Sequence, residues 1–455
     1  MQKICIFALT LAMVAVSCQK EVAIGDNSVE PTTVNATLSV TRSYDEALAI
    51  AEDALKLLEG DDTRSAKQRS IKRDEGQIVY KPTTRGTEAD AEPIMYVFNN
   101  ENNEGFTVVA ANRSIYPLIA VVESGNYTYG EPTGVEPFDL LMEDVTNTLS
   151  ILPEEDLAIK HAKENEVAFY NTNYNSNNIQ WGTGGIYGSL YPDGVAFDEA
   201  TAIAQAVVCS DGDTSYTVSI PNHQLNGQSV QLNKTLLKRY IRSDLYFASQ
   251  DAQLLAEMEE SIALLYLEIG HRLINGTSIS LSNKRRTFSV EKVQSVIESF
   301  GCDVGYIYNY NESTANQLTM RSMEVGNRLS YFNDIIVLKG YLSNYDEFED
   351  SSYERYWLAT NIMHLRYDWV TYVLDATINP NHPEPNEYTE INRVKRNEMF
   401  LFMNWGFDGY NNGWFNIGCF DMTARSHEDN LFSEQPVTYD YNFEDIDFFS
   451  IENGI

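Results

Sequence analysis

The chain has 455 residues, with 66 acidic and 32 basic side chains, and therefore a formal net charge of −34. This length suggests two or three domains with buried cores. A hydrophobic fraction of 43% with 12% aromatics excludes a wholly disordered protein. The acidic balance argues against nucleic acid as a partner, because every phosphate contact would oppose an unfavourable field. Five cysteines over this length cannot form a disulfide framework.

The N-terminus resembles a lipoprotein signal peptide. Lys3 precedes an almost wholly apolar run over 4–16, which is too short to span a bilayer as a helix but fits a signal-peptide core. Cys18 follows small residues, as in the bacterial lipobox, where the cysteine is diacylated. The pattern predicts a signal peptide over 1–17, lipidation at Cys18 and a polar tether over 18–40. We therefore expect an exported protein anchored in a bacterial membrane, with the outer membrane or cell surface as its location.

The segment 41–170 has the pattern of a small α+β unit. The tetrapeptide at 43–46, Ser-Tyr-Asp-Glu, is a capping box, and the apolar period after it predicts a helix closed by Gly60. The charged stretch over 61–92 predicts a long loop. Further along, the pattern predicts strands over 95–98, 106–110 and 118–122 and a helix from about 137 to 153.

The segment 171–455 has the pattern of a second α+β domain, in which helices come first and an antiparallel sheet follows. An Asn-rich linker opens it over 171–178. The periodicity predicts helices over 199–208, 252–273 and 290–300, and strands over 335–338, 370–374, 399–403 and 414–417.

Motifs in both segments match one family. The helix over 46–51 and the hairpin over 96–113 resemble the Spi-type propeptide or inhibitor domain of streptopain-like cysteine peptidases. The run 200–205, Ala-Thr-Ala-Ile-Ala-Gln, resembles the end of their nucleophile helix, Gly-Cys-Val-Ala-Thr-Ala-Met-Ala-Gln. The run 404–409, Asn-Trp-Gly-Phe-Asp-Gly, resembles their Asn-Trp-Gly-Trp-Gly-Gly motif. The resemblance implies an Spi-type domain followed by a papain-like peptidase domain, both α+β.

Such an enzyme needs a thiolate at a helix N-terminus, a His that carries the proton, a group that orients the His, and an oxyanion donor. Counting back along the family pattern from Gln205 puts Asp198 at the nucleophile position, and a carboxylate is a poor nucleophile toward amides. The best fit to the family's His-bearing strand puts Val370 at the base position. Thr183 stands where the oxyanion Gln belongs. The resemblance leaves four residues as retained scaffold: Trp181, Asn404, Trp405 and Gly406.

The sequence therefore predicts an exported lipoprotein with the plan of a streptopain-type proenzyme, in which the peptidase domain is non-catalytic. Its degenerate cleft is expected to bind a protein or peptide ligand, with a related peptidase as one candidate. We expect no metal and no cofactor.

Three alternatives stay open. The first is an active cysteine-type endopeptidase with an unrecognised site, for which His364 and the thiols of Cys209, Cys302 and Cys419 are the available groups. The second is an inhibitor of a related peptidase. The third is a glycan-binding surface lipoprotein.

Overall fold

A computed structural model describes part of the chain. The described residues are 40–59, 69–81, 92–113, 115–151, 158–170, 181–182, 187–192, 195, 197–209, 215–219, 229–233, 252–276, 288–308, 329, 335–342, 353–374, 388–416 and 447–452. Cys18, the predicted tether up to residue 39, the predicted linker and Thr183 lie outside these ranges. For Asp198 and Val370 the structure describes the position in the backbone alone.

The helices that were predicted from periodicity are present. They are α1 (Tyr44–Glu59), α2 (Glu136–Ile151), α3 (Asp198–Cys209), α4 (Ala252–Leu273) and α5 (Val290–Glu298). None of the described helices has the length and apolar content that a membrane-spanning helix needs.

The strands of the N-terminal segment are β1 (Gln77–Tyr80), β2 (Pro93–Asn99), β3 (Phe106–Ala110), β4 (Leu118–Val122) and β5 (Ala158–Tyr170). The later strands are β6 (Ser215–Ser219), β7 (Ser229–Asn233), β8 (Asp303–Tyr308), β9 (Ile335–Leu342), β10 (Tyr353–Leu374), β11 (Tyr388–Asn404), β12 (Gly413–Asn416) and β13 (Asp447–Glu452).

Two predictions about strands were wrong. The stretch 61–92 is not wholly a loop, because it contains the 3-10 helix Arg73–Glu75 and strand β1. Strands β10 and β11 have 22 and 17 residues, whereas the sequence predicted strands only over 370–374 and 399–403. In both cases the strand is set by its pairing partner, β2 for β1 and β11 for β10, and this partnership leaves no local signal in the sequence.

One antiparallel sheet runs through most of the described structure. Its order is β1-β2-β3-β4-β12-β11-β10-β9-β13-β8, and β5 pairs with β10 beside this path. Strands β6 and β7 form a separate hairpin. Helices combined with an antiparallel sheet confirm the predicted α+β class. The predicted domain boundary at residue 170 stays a prediction.

Helix α1 begins at the predicted capping box. The Ser43 Oγ accepts from the Glu46 backbone N–H at 3.3 Å, and the Glu46 carboxylate accepts from the Ser43 N–H at 2.8 Å. The same carboxylate accepts two 2.6 Å hydrogen bonds from Arg113. Hydrogen bonds from Arg113 and Ser43 hold the pKa of Glu46 below its ordinary value although partial burial opposes this. The cap therefore also fastens α1 to the loop after β3.

Apolar clusters cover both faces of the sheet. In strand β9, Ile336 joins a cluster built around α2, while its neighbours Ile335 and Val337 join a second cluster built from α3, α4 and α5. This alternation is the signature of a strand buried on both faces. The sheet therefore lies between two apolar cores.

The turn before β3 depends on a glycine. Gly105 has φ +97°, and a Cβ at this position would overlap the carbonyl oxygen of Val122. Replacing Gly105 by Ala is expected to lower the free energy of unfolding by about 3 kcal/mol, because backbone strain and overpacking add. Gly130 is a matched control, since it has φ +82° but nothing within 4 Å of an added Cβ. Urea titration should give a loss of only about 1–2 kcal/mol for Gly130→Ala, and equal losses would contradict the packing argument.

Candidate functional site

The segment Trp181–Gly182 is fastened to helices α3 and α4 by buried hydrogen bonds. The side-chain amide of Gln205 donates to the Trp181 carbonyl at 3.2 Å, and the Thr201 hydroxyl donates to the Gly182 carbonyl at 3.2 Å. From α4, the Tyr266 hydroxyl donates to the same Gly182 carbonyl at 3.0 Å. Burial raises the pKa of Tyr266 far above its ordinary value, so the phenol stays a neutral donor. The retained Trp181 is thus locked in place by residues of the predicted nucleophile helix.

Strand β11 ends at Asn404, and a tight loop over 405–412 leads into β12. The Asn404 side-chain oxygen accepts from the Gly406 N–H at 3.1 Å. The Trp405 backbone N–H donates to the Asn412 side-chain oxygen at 3.0 Å, and the Trp405 indole donates to a loop carbonyl at 3.0 Å. The retained residues of this motif therefore build the loop itself.

Two glycines let the helix, the loop and the Trp181 segment approach one another closely. A Cβ on Gly406, whose φ is +79°, would lie 2.8 Å from the methyl group of Thr201 on α3. A Cβ on Gly182 would overlap the carboxylate of Asp408 in the loop. The structure therefore brings together Trp181, α3 and the 404–406 motif, as the resemblance implies.

The first turn of α3 is acidic. The helix begins at Asp198, and the next residue, Glu199, is buried with its carboxylate accepting from the Phe288 backbone N–H at 3.3 Å. Carboxylates at this end of a helix are stabilised by the macrodipole. Asp198, which the resemblance puts at the nucleophile position, thus opens the helix, where an acidic residue suits the helix dipole.

The strand register does not bring Val370 to the site. A base and the group that orients it must lie within hydrogen-bonding reach, and on β10 the residue paired with Asn404 is Leu358. Val370 is paired with Arg393, twelve positions further along β10, or about 40 Å at ~3.4 Å per residue. His364 is paired with Met399, and so it is also displaced along the strand.

Leu358 is 1% exposed and belongs to the same apolar cluster as α3. The place beside Asn404 is therefore filled by an apolar side chain without proton chemistry. The role of this position could not be predicted from the sequence, because the register of β10 against β11 has no local signature. The role of Tyr266 could not be predicted either, because the helical period marks it only as a core residue.

Of the alternative thiols, the structure describes the surroundings of Cys302. This cysteine is 6% exposed and lies in the apolar cluster of α3, α4 and α5. Such an environment is typical of an inert structural cysteine. Within the described parts of the chain, no group of three or more His, Cys, Asp or Glu side chains is placed to hold a metal ion.

Asp408 lies in the loop over 405–412, and its surroundings disfavour the charged form of its carboxyl group. Burial of its carboxyl group raises the pKa of Asp408 above its ordinary value. Protonation is therefore favoured in the folded state. The ionised group lowers the free energy of unfolding at pH values above its folded pKa, and it has no such effect below its unfolded pKa.

We expect Asp408→Asn to raise the melting temperature slightly at pH 7, because the disfavoured charge is removed. At about pH 3 both proteins carry a neutral group here, and the difference should vanish. Asn tolerates the positive φ of 51° at this position. Calorimetry at the two pH values checks this, and a variant that is less stable than the wild type at pH 7 would contradict it.

A family model matches the N-terminal part of the chain. Residues 35–149 match the Spi protease inhibitor family. We call these residues the Spi region; they make up about a quarter of the sequence. The match confirms the predicted Spi-type domain.

One solved structure with a similar chain is a fragment of prointerpain A from Prevotella intermedia in which a cysteine is mutated to alanine. It has a TM-score of 0.43 and 14% sequence identity, and the alignment covers 82% of this chain and 98% of that one. No curated protein matches the chain.

Proposed function

We propose that this protein is an exported, lipid-anchored and non-catalytic relative of streptopain-type proenzymes. It acts by binding a protein or peptide ligand in the degenerate cleft that the resemblance implies, at the exposed side of the loop over 405–412. Two residues carry the proposal, one at the position that the resemblance assigns to the nucleophile and one beside Asn404. Helix α3 begins with Asp198, and Leu358 is the residue paired with Asn404.

A thiol endopeptidase works because an imidazole close to the sulfur lowers the pKa of the thiol and then carries the proton. An aspartate and a leucine supply neither group. The scaffold around them, from Trp181 to the 404–406 motif, is nonetheless tightly hydrogen-bonded. A maintained scaffold without the reactive pair supports binding in place of turnover.

The loop over 405–412 offers a surface for a ligand. Tyr410, at the tip of the loop, is 61% exposed, and an exposed tyrosine supplies contact area at low entropic cost. The nearby carboxylate of Asp408 and the net charge of −34 favour cationic peptides over anionic ones. We therefore propose a basic, extended peptide segment as the ligand class.

Absence of catalysis is tested on casein with the purified chain lacking residues 1–17. No cleavage above buffer background is expected, with or without a thiol-reactive peptide inhibitor. An active thiol endopeptidase in the same buffer is the positive control. Cleavage that the inhibitor abolishes, and that is lost on replacing Cys209, Cys302 or Cys419 by Ala, would overturn the proposal.

Binding is tested with a lysine-rich casein peptide by fluorescence anisotropy. Tyr410→Ala is expected to weaken binding by about tenfold, as for loss of one aromatic anchor. Tyr129→Ala is the matched control, because Tyr129 is also exposed, at 40%, but lies in the Spi region. Equal effects of the two variants would remove the loop from the binding site.

Export and lipidation at Cys18 belong to the same proposal. The wild-type protein is expected in the membrane fraction of a bacterial host, and Cys18→Ala is expected in the soluble exported fraction. Membrane association of Cys18→Ala would contradict the lipid anchor.

Inhibition of a peptidase is the second candidate function, and the family match of residues 35–149 favours it. It predicts that the whole protein, added in excess, slows casein cleavage by an active streptopain-type peptidase. Unchanged cleavage at tenfold molar excess would exclude it.

A further inference from the structure

We call residues 158–455 the C-terminal part. The Spi region meets the C-terminal part along two neighbouring strands. Strand β4 of the Spi region pairs with β12, with Val121 opposite Trp414 and Ala120 opposite Phe415. The pairing continues past the strands, because the Glu123 N–H donates to the carbonyl of Asn412 at 2.9 Å. The sheet therefore passes from the Spi region into the C-terminal part without an edge.

Side chains reinforce this backbone pairing at both ends. The Ser124 hydroxyl donates to the Gly409 carbonyl in the loop over 405–412 at 2.5 Å. At the other end, the buried side chain of Asn416 donates to the Leu118 carbonyl at 3.3 Å. The loop that carries the retained Trp405 and Gly406 is thus held partly by the Spi region.

Two apolar clusters are shared between the Spi region and the C-terminal part. In the first, Phe138 on α2 lies with its ring centroid 6.4 Å from Trp405 and 6.1 Å from Phe415. In the second, Tyr116 lies 6.3 Å from Phe400. The first cluster also includes Leu141, Met142, Val145, Leu401 and Met403, and the second Leu118, Val121, Met363, Phe402 and Trp414.

Interfaces between separate domains of one chain are usually small and rather polar. This junction is instead a continuous sheet with apolar cores, and most of its rings are less than 5% exposed. Separation would uncover these rings and leave two unpaired strand edges in water. The junction has the character of a domain interior.

We infer that the Spi region is a permanent structural part of the folded protein and not a removable pro-segment. The β4 edge and the apolar face of α2 bind the C-terminal part of the same chain. A second protein cannot use that edge while this pairing stands. This inference does not depend on the proposed loss of catalysis.

The first test cuts the chain between the two parts. A recognition sequence for a site-specific protease replaces residues 152–157, which lie between α2 and β5. After cutting, the two fragments are expected to co-elute at the mass of the intact protein and to show one thermal transition. The uncut variant controls for the replacement, and elution in 6 M guanidinium controls for complete cutting. Separate elution under native conditions would overturn the inference.

A glycine at the junction gives a matched pair of variants. A Cβ on Gly413 would lie 2.5 Å from the carbonyl oxygen of Val121 and 2.6 Å from Cα of Val122, whereas a Cβ on Gly130 would meet nothing within 4 Å. Gly413→Ala is expected to weaken association of the cut fragments by at least about tenfold, and Gly130→Ala by less than about threefold. Equal association constants would count against the junction as the contact that holds the parts together.

Hydrogen exchange on the wild-type protein tests the inference without a substitution that could cause misfolding. Amides in β4 and β12 are expected to exchange as slowly as those in β3 and β11, because all four strands then open only with global unfolding. Exchange in β4 and β12 that is at least about a hundredfold faster would show a junction that opens by itself, and would overturn the inference.

Discussion

Replacing Phe138 by alanine is expected to lower the free energy of unfolding by about 3–5 kcal/mol, the usual cost of a large-to-small change at a fully buried aromatic. The ring is 0% exposed. Its centroid lies 5.7 Å from Phe106 and 5.5 Å from Tyr127 within the Spi region. It also contacts Trp405 and Phe415 of the C-terminal part. Loss of the ring therefore removes packing from both parts.

The position of the tryptophans makes this measurable. All five tryptophans lie after residue 180, so tryptophan fluorescence reports on the C-terminal part and on its contacts with the Spi region. Phe138→Ala should shift the urea midpoint seen by fluorescence as much as the midpoint seen by far-UV circular dichroism. Ile78→Ala is the control, because Ile78 is 37% exposed and should change stability by less than about 0.5 kcal/mol. A fluorescence midpoint that stays at the wild-type value would contradict shared packing.

Elements with a local signal were predictable from the sequence. The capping box of α1 is encoded within four residues, and its two hydrogen bonds are present in the structure. Helix α4 has the bounds that its apolar period predicts, Ala252–Leu273. In these cases the residues that decide the structure lie within one or two helical turns of one another.

Pairing between distant strands was not predictable. Strand β12 lies between β11 and β4, and Val121 and Trp414 are separated by almost three hundred residues. The register of β10 against β11 was not predictable for the same reason. The match to a family strand pointed to Val370, whereas the pairing of β10 puts Leu358 beside Asn404. A strand of 22 residues admits many registers with similar local patterns.

The candidate site was partly predictable. Trp181, Asn404, Trp405 and Gly406 could be found because the resemblance marks them, and the structure brings them together with α3. The side chains that fix their positions, such as Tyr266 and Thr201, come from different helices and have no motif of their own. Residues that act through tertiary hydrogen bonds are therefore visible only once the fold is known.

The second large effect concerns a cation buried in the Spi region. Arg42 is 1% exposed, and its guanidinium donates to the carbonyls of Ala110 at 3.0 Å, Asn112 at 2.5 Å and Ile115 at 3.0 Å. Burial, together with the nearby Arg113 cation, lowers the pKa of Arg42 to about 9. The guanidinium is thus charged at pH 7, and it donates hydrogen bonds to three carbonyls at the end of β3 and in the segment that follows it.

Arg42→Met is expected to lower the free energy of unfolding by about 3–5 kcal/mol at pH 7, because one buried and two partly buried carbonyls lose a buried charged donor while side-chain volume is kept. Arg42→Lys should recover only part of this loss, since one ammonium group cannot match the planar fork of the guanidinium. Arg73→Met is the control. The Arg73 side chain is 68% exposed and forms a 2.7 Å ion pair with Glu52, and its loss should cost less than about 1 kcal/mol. Urea titration that gives Arg42→Met and Arg73→Met the same midpoint would show that the three hydrogen bonds contribute no more to stability than a surface ion pair does.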